Sequence, residues 1–394
     1  MSQACDILVV GGGAVGLSAA SRLARRRAGR VVLLEKSFFG AGGSGKSAGL
    51  LFQHDGVPVA AAMARGGLRF YAHLHESLGS PPVFTRAGMV LIVRESDRAA
   101  LDANLAAQRE AGVDVRPIGG QELTEIDANA RLAEDELAVF EADAGCVDPV
   151  QVLTGLAESA RRHGADLRQG VEVQGLDVEK GKVVGVQTNE GPYTCGAVVL
   201  ATGPWTPRLL KPYKTALAVE VRRTQAAFFR RPIDGGRRTV VTIDFAQGLY
   251  FRPASADGLQ VGPLSAAETK EPINPDEYNE AADGDWLPGV RQRLSRRFPG
   301  LHRSYGRGGY GALQVVTPDG LPILDRLPGL DGVYGAVGFA GRSILMAPAA
   351  GEVVAELVID GKAATLDLTP LRAARFGEGD GAKNNGLPYG TIAN

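Results

Sequence analysis

The chain has 394 residues, long enough for a large core and two interleaved domains. Its net charge of −1 implies no polyanionic partner, so the charge balance does not point to nucleic acid. Three cysteines, Cys5, Cys146 and Cys195, form no C-x-x-C pair. They argue against a disulfide framework, a zinc site or a dithiol motif, and for a reducing, cytoplasmic setting.

The first 36 residues carry the strongest pattern. "DILVVGGGAVGLSAASRLARRRAGRVVLLEK" (6–36) reads strand, turn, helix, strand, with the helix running to about Ala28 and stopping at Gly29. The chain enters an apolar strand almost at once, which argues against a secretory signal. A helix is expected near 58–78, strands at "GMVLIV" (88–93) and "LAVFEAD" (137–143), and a charged helix within 96–111. His73 and His75, two apart on the first of these helices, face different ways and make a poor metal pair. Asp148, Pro149 and Gly164 punctuate a helix over 148–164. Short strands with glycine turns fill 171–203, and β pattern returns over 217–265. The stretch 266–300 is polar and partly helical. Glycine-rich turns follow, then a strand "GVYGAVG" and a helix near 342–360. Residues 377–394 read as a loosely held tail. No apolar run reaches the ~20 residues of a membrane span.

Gly11, Gly13 and Gly16 form G-x-G-x-x-G between a strand and a helix, and the second strand ends in Glu35. Gly11 permits the tight turn. Gly13 lets backbone approach a pyrophosphate, and Gly16 lets the helix lie close to the strand. Glu35 stands where a carboxylate can bind ribose hydroxyls. A second glycine motif, Gly40 to Ser47, fits the phosphate loop of ATPases. However, it does not join a strand directly to a helix, and its only decent magnesium-holding acid, Asp244, lies in the β-rich second region. The first motif leaves NAD and FAD both open. Its position near residue 7, with nothing before it, favours FAD.

These residues, with "GSGKSAGLL" (43–51), "VVLATGPWTPRLL" (198–210), "TPDGLPILD" (317–325), "VYGAVGFAGRSILMAPAAGEVVAELVIDG" (333–361) and "LDLTPLRAARF" (366–376), carry a resemblance. The chain resembles the FAD-dependent amine oxidoreductases grouped with D-amino-acid oxidase, glycine oxidase, sarcosine oxidase and dimethylglycine dehydrogenase. The resemblance implies an α/β fold: a Rossmann-like FAD-binding domain interleaved with a mixed β-sheet substrate domain, as in two-domain flavoproteins of the glutathione-reductase and p-hydroxybenzoate-hydroxylase type. The boundaries it implies are 1–85, 144–215 and 301–376 for the FAD domain and 86–143 with 216–300 for the substrate domain.

It also implies the cofactor contacts. They are Gly11, Gly13, Ala14, Val15 and Gly16; Glu35 and Lys36; Ser44, Gly45, Lys46, Ser47, Ala48, Gly49 and Leu50. Val173, Thr202, Gly203, Trp205, Gly311, Gly338, Gly341, Arg342, Ser343 and Ile344 complete them. Lys46 falls where some relatives carry a histidine joined to FAD, and no thiol stands near Gly311, where others carry a linking cysteine, so non-covalent FAD is expected. Arg342, at the start of the last long helix, is expected at the flavin N1–C2=O edge.

Catalytic roles fall to Tyr250, Lys46 and Arg342, and substrate contacts to His54, Tyr250, Arg252 and Gln314; no metal is implied. The family's carboxylate-binding arginine is replaced by Gln314, its carboxylate-binding lysine is absent near Leu345, and its oxygen-activating lysine is replaced by Gln260. The implied reaction is oxidation of the C–N bond of a secondary or cyclic amine or an amino acid, by hydride transfer to flavin N5, giving an imine. The electron acceptor is O2 or a quinone or carrier. A dehydrogenase acting on 2-hydroxy acids, with His54 as base, and a flavin-bearing subunit of an electron-transfer complex are the alternatives. Homo-oligomer and partner subunit both stay open.

Overall fold

The computed structural model describes residues 3–78, 83–232, 240–255, 258–264 and 273–378. The tail expected over 377–394 lies outside these residues beyond Glu378, and part of the polar stretch after 264 does too.

Two sheets organise the molecule. The first has six strands in the order Asp166–Gln169, Val31–Glu35, Ile7–Val10, Ala197–Leu200, Val333–Val337 and Ile323–Arg326. All neighbours are parallel except the last pair. A parallel strand covered on both faces needs apolar side chains at every position, and this explains the "ILVV" and "VVLL" runs. Ile7, Val9, Val31 and Leu33 enter the main core. Leu8, Val10, Val32 and Leu34 enter a second core formed with Leu176, Val183, Val186 and Tyr193. Helices Ala14–Arg25, Pro149–Arg162 and Ser343–Asp360 pack together on the main-core side. A four-stranded sheet holding Gln3–Ala4, Tyr193–Thr194, Lys182–Thr188 and Val173–Glu179 closes the other side.

The first helix is shorter than expected. It ends at Arg25, and Arg27 (φ 55°) and Gly29 (φ 111°) turn the chain back so that Arg30 N–H donates to the Asp6 carboxylate at 2.6 Å. The later helix behaves as read: Asp148 Oδ1 accepts from Val150 N–H at 2.8 Å and Gln151 N–H at 3.1 Å, and Gly164 leaves it at φ 96°.

The second sheet has eight strands in the order Tyr305–Val316, Glu220–Arg230, Gly258–Pro263, Leu249–Pro253, Val241–Asp244, Met89–Arg94, Glu136–Glu141 and Val115–Ile118. All neighbours are antiparallel except Val241–Asp244 beside Met89–Arg94. Helix Trp286–Arg297 covers one face through Val290 and Leu294. The other face turns towards the first sheet. Tyr305–Val316, expected as glycine-rich turns within the cofactor domain, is a twelve-residue strand of this second sheet.

Candidate cofactor and active site

The strand Ile7–Val10 ends in a turn that only glycine can make. Gly11 has φ +106°, and a Cβ there would stand 2.5 Å from the Ala201 carbonyl oxygen. A Cβ on Gly16 would run into the Gly11 carbonyl oxygen. Helix Ala14–Arg25 therefore starts with its backbone close against the sheet, and no side chain caps it from Gly13. Its N–H groups and dipole form an anion cradle. Ser44 Oγ, from the following loop, accepts from Ala14 N–H at 3.1 Å. Glu35 braces the same turn: its two carboxylate oxygens accept from Gly12 N–H at 2.7 Å and Ser37 N–H at 2.9 Å.

The second glycine motif is not a phosphate loop. From Gly40 the chain runs through turns into the two-residue strand Leu50–Leu51. Gly40 N–H donates to Gly12 O at 3.0 Å and Gly45 N–H to Gly40 O at 3.1 Å, so the loop folds onto the first turn. Gly49 closes it by accepting from Val147 N–H at 2.8 Å. Asp244 lies elsewhere, buried and bonded to Arg297 Nε at 2.7 Å. Lys46 Nζ donates to Tyr278 Oη and Glu280 Oε2, both at 2.7 Å. Burial disfavours the Lys46 charge, but the Glu280 and Tyr278 contacts outweigh it and hold the ammonium above its usual pKa.

Residues 274–283 thus form a strap from the second sheet across to the first. Asp276 accepts from Lys36 Nζ at 2.5 Å, Trp205 Nε1 at 2.8 Å and an Arg208 guanidinium N–H at 2.6 Å. Burial opposes that carboxylate, yet the three donors pull its pKa down to about 2. Arg223 ties the strap's other end to Asp283. Lys36 sits 4.1 Å from the centroid of the Trp205 ring. The expected cofactor positions Lys36, Trp205 and Gly311 are therefore engaged by the strap. Gly311 N–H donates to Glu280 O at 2.8 Å, and a Cβ on it would collide with Asn279 O.

Between the sheets runs one cleft, with an empty volume of about 1450 Å3 including its open mouth. Gly13 and Val15 line one end, and Ser44, Lys46, Ser47, Ala48 and Leu50 line a side. Gly203, Gly338 and the segment Gly341, Arg342, Ser343 and Ile344 line the rest of that wall. Thr202 bonds Thr206 through their hydroxyls at 2.8 Å, beside Gly203. Gly341 has φ +82°, and a Cβ there would stand 2.7 Å from Gln314 Nε2, itself a lining group.

Arg342 is 8 % exposed and N-caps the helix Ser343–Asp360. Its guanidinium donates to the Asp55 carboxylate and, at 2.5 Å, to the Gly320 carbonyl oxygen. Its Nε is buried with no protein acceptor among the described residues. Burial raises the Asp55 pKa, and Arg342 works against that rise. Behind them Arg375, fully buried, donates to both oxygens of Asp319 (2.8 and 2.9 Å) and to Leu321 O (2.8 Å). That clamp fixes the turn that presents Gly320 O.

The opposite wall carries Tyr250 and Tyr310. Gly262 leaves room for the Tyr250 ring, since a Cβ there would strike it. Burial raises the Tyr250 pKa. Gln260 links this wall together: Arg252 Nε donates to its Oε1 at 2.8 Å, and its Nε2 donates to Tyr310 Oη at 2.8 Å. Tyr310 in turn donates to Lys46 O at 3.0 Å. Arg252 is therefore a buttress behind the wall and does not line the cleft itself.

His54 also departs from expectation. It is buried at 0 % exposure, with Nε2 3.2 Å from Asn104 Nδ2, and no histidine lines the cleft. Burial drops its pKa to about 4, so it stays neutral near pH 7. Val173 starts the strand Val173–Glu179, and the structure does not bring it to the cleft. Asp55, Tyr310, Asp276, Tyr278 and Glu280 are site-forming residues that sequence reading missed. Only Tyr310 left a trace there, at even spacing with Ala312 and Gln314.

Beneath the segment holding Asp55 lies Glu141, fully buried, accepting from Gln53 N–H at 2.8 Å and His54 N–H at 3.1 Å. Burial raises its pKa from 4.5 to about 7. Between those values the folded state holds more protons than the unfolded state, so stability falls as pH rises. The expected loss is about 3 kcal/mol from pH 4.5 to 7. Urea midpoints across that range should show the slope in the parent protein and its absence in Glu141→Gln.

The glycine cradle at the helix start and the unpartnered Arg342 Nε fit an extended anionic ligand. The comparisons agree. Residues 6–357 match the family model described as FAD dependent oxidoreductase (DAO). Glycine oxidase of Geobacillus kaustophilus is 26% identical over 95% of this chain and 98% of its own length. Human peroxisomal sarcosine oxidase is 25% identical over 94% and 96%. The crystal structure of L-proline dehydrogenase from P. horikoshii superposes with a TM-score of 0.88 at 27% identity, covering 96% of this chain and all of that one. This chain belongs to the FAD dependent oxidoreductase (DAO) family, and FAD is its cofactor.

Proposed function

We propose that the cleft seats FAD non-covalently, and that the enzyme oxidises the C–N bond of a secondary or cyclic amine or an amino acid. The observation that carries this reading is one continuous cleft between two helix starts, Gly13 at one end and Arg342–Ile344 at the other, faced by Tyr250 and Tyr310. In this reading the six-stranded sheet carries the cofactor and the eight-stranded sheet the substrate. The strand Tyr305–Val316 belongs with the substrate sheet, to which it is hydrogen-bonded.

When bound, FAD supplies the acceptance of a hydride from the carbon that bears nitrogen. The chain's own residues do the rest. Gly13, Val15 and Ser44, which line the cleft at the helix start, would hold the cofactor's pyrophosphate there. Arg342, its guanidinium fixed by Asp55 and Gly320, would offset negative charge on the bound cofactor. Tyr250, Tyr310 and Gln314 shape the substrate wall, and Phe52, Ile243 and Leu264 help to exclude water.

Among the described residues, the cations lining the cleft are Lys46 and Arg342, and they already have acidic partners in Glu280 and Asp55. Within the proposed class this favours an amine over a substrate gripped by an α-carboxylate. The relatives' names, glycine oxidase, sarcosine oxidase and L-proline dehydrogenase, span the same class. A 2-hydroxy-acid reading needs a base, and no histidine lines the cleft. Gln260, a neutral side chain bonded to Tyr310 and Arg252, stands where the resemblance puts an oxygen-activating lysine, which favours a quinone or protein carrier over O2 as acceptor. No helix among the described residues is long and apolar enough to cross a membrane. A cytoplasmic location is part of the proposal and rests on the free cysteines. A sarcosine oxidase β subunit among the relatives supports a partner subunit over a homo-oligomer.

The test is anaerobic titration of the flavin-loaded protein with panels of secondary amines, cyclic amines, amino acids and 2-hydroxy acids. Loss of the visible flavin absorbance with amines or amino acids is expected. Loss with hydroxy acids alone would overturn the reading.

A further inference from the structure

Cys5 and Cys195, far apart in sequence and passed over as unpaired, are neighbours in the fold. Gln3–Ala4 runs parallel to Tyr193–Thr194, with Ala4 opposite Thr194. Both chains then enter the six-stranded sheet, with Ile7 opposite Ala197. The two pairings share one register, so Cys5 stands opposite Cys195 between them. Cys5 N–H donates to Thr194 O at 3.0 Å, which pins the register locally. Neighbouring strands lie about 4.8 Å apart, inside the 4.4–6.8 Å Cα span of about every disulfide. Directly paired residues of neighbouring strands point to the same face of the sheet, so the two side chains lie side by side.

We infer that Cys5 and Cys195 form a peroxide-sensitive dithiol site that closes reversibly to a disulfide, locking the first strand of the chain to the strand that leads into the cofactor cleft. The roles of the two sulfurs differ. Cys5 is partly exposed, while Cys195 is buried. The bond from Cys195, then the charges of Arg30 and Arg168, lower the Cys5 pKa against the opposing effect of burial. The Cys195 pKa is raised by its bond with Cys5 and by burial. Cys5, the more exposed sulfur, is thus the one peroxide reaches first, and Cys195 the resolving thiol.

In the first step Cys5 sulfur attacks hydrogen peroxide. The O–O bond breaks, an S–O bond forms, hydroxide leaves, and the sulfur is oxidised by two electrons to a sulfenic acid. In the second step Cys195 sulfur attacks that sulfur. The S–S bond forms, the S–O bond breaks, and hydroxide departs with the Cys195 proton as water. Two thiols and one peroxide give one disulfide and two waters. A thiol reductant reverses the change.

The experiment treats the flavin-loaded protein with hydrogen peroxide and counts thiols after denaturation, with peptide mapping under non-reducing conditions. The count should fall from three to one, leaving Cys146, which is buried at 5 % exposure, as the free thiol. The map should join the Cys5 and Cys195 peptides, and reduction should restore the count. In Cys195→Ser, dimedone should label Cys5. In Cys5→Ser, the count should stay at two. An unchanged count in the parent protein, a disulfide through Cys146, or sulfinic acid at Cys5 without a crosslink would overturn the proposal. The parent protein's map decides it even if a variant does not fold.

Discussion

Gly16→Val is expected to give a colourless protein. The helix Ala14–Arg25 can lie against the first strand only because position 16 has no side chain; a Cβ there meets the Gly11 carbonyl oxygen, with Ala201 Cβ at 3.4 Å. Relief requires moving the helix start outward, which withdraws its N–H groups from the position proposed for the cofactor phosphates. Overpacking of this kind costs about 1–3 kcal/mol in the fold. The loss in FAD affinity is expected to exceed about 100-fold, because the cradle's geometry is lost as a unit. The readouts are flavin content of purified protein and fluorescence titration with FAD, with circular dichroism to show a retained fold. Ser44→Ala removes one acceptor at Ala14 N–H and should be much milder. A yellow Gly16→Val protein with parental affinity would refute the role given to this turn.

Arg342→Met should damage both stability and turnover, and the two can be separated. Removing the guanidinium leaves Asp55 buried without its cation, a change worth about 3–5 kcal/mol. Burial already raises the Asp55 pKa, and loss of Arg342 raises it further. A folded-state pKa lifted in this way makes the variant relatively most stable in acid and progressively weaker as pH rises through it. Turnover should fall by about 10²–10³, the range for loss of one preorganised electrostatic contact, and the flavin potential should drop. Adding Asp55→Leu to Arg342→Met should restore much of the stability and little of the rate. Recovery of both together would mean that Arg342 acts only as a structural partner of Asp55.

The first crossover was legible because several local signals coincide in it: two apolar runs, three glycines at fixed spacing, and Glu35 closing the second strand. Each is dictated by neighbours within a few residues. Tyr305–Val316 was not legible, because Gly306, Gly308, Gly309 and Gly311 strip it of β-forming side chains. Its strand character comes from pairing with Glu220–Arg230. The partners of Lys46 were hidden for a related reason. A lysine in a glycine loop carries no mark of Tyr278 or Glu280, which arrive through a connection in the other sheet. Asp55 and Arg342 likewise meet only through tertiary packing. His54 was misassigned because adjacency in sequence to the Gly40–Leu51 loop does not say which way the chain then turns, and here it turns inward.

Arg375 gives the far end of the described chain an influence on chemistry it never touches. It grips Asp319, and the same turn offers Gly320 O to Arg342. A truncation upstream of position 375, or fraying there, would unseat the Arg342 guanidinium without altering one residue of the cleft lining. On the proposed reading, redox tuning therefore extends to the Arg375 turn, and fusions or tags placed near it are electrostatic perturbations as much as handles.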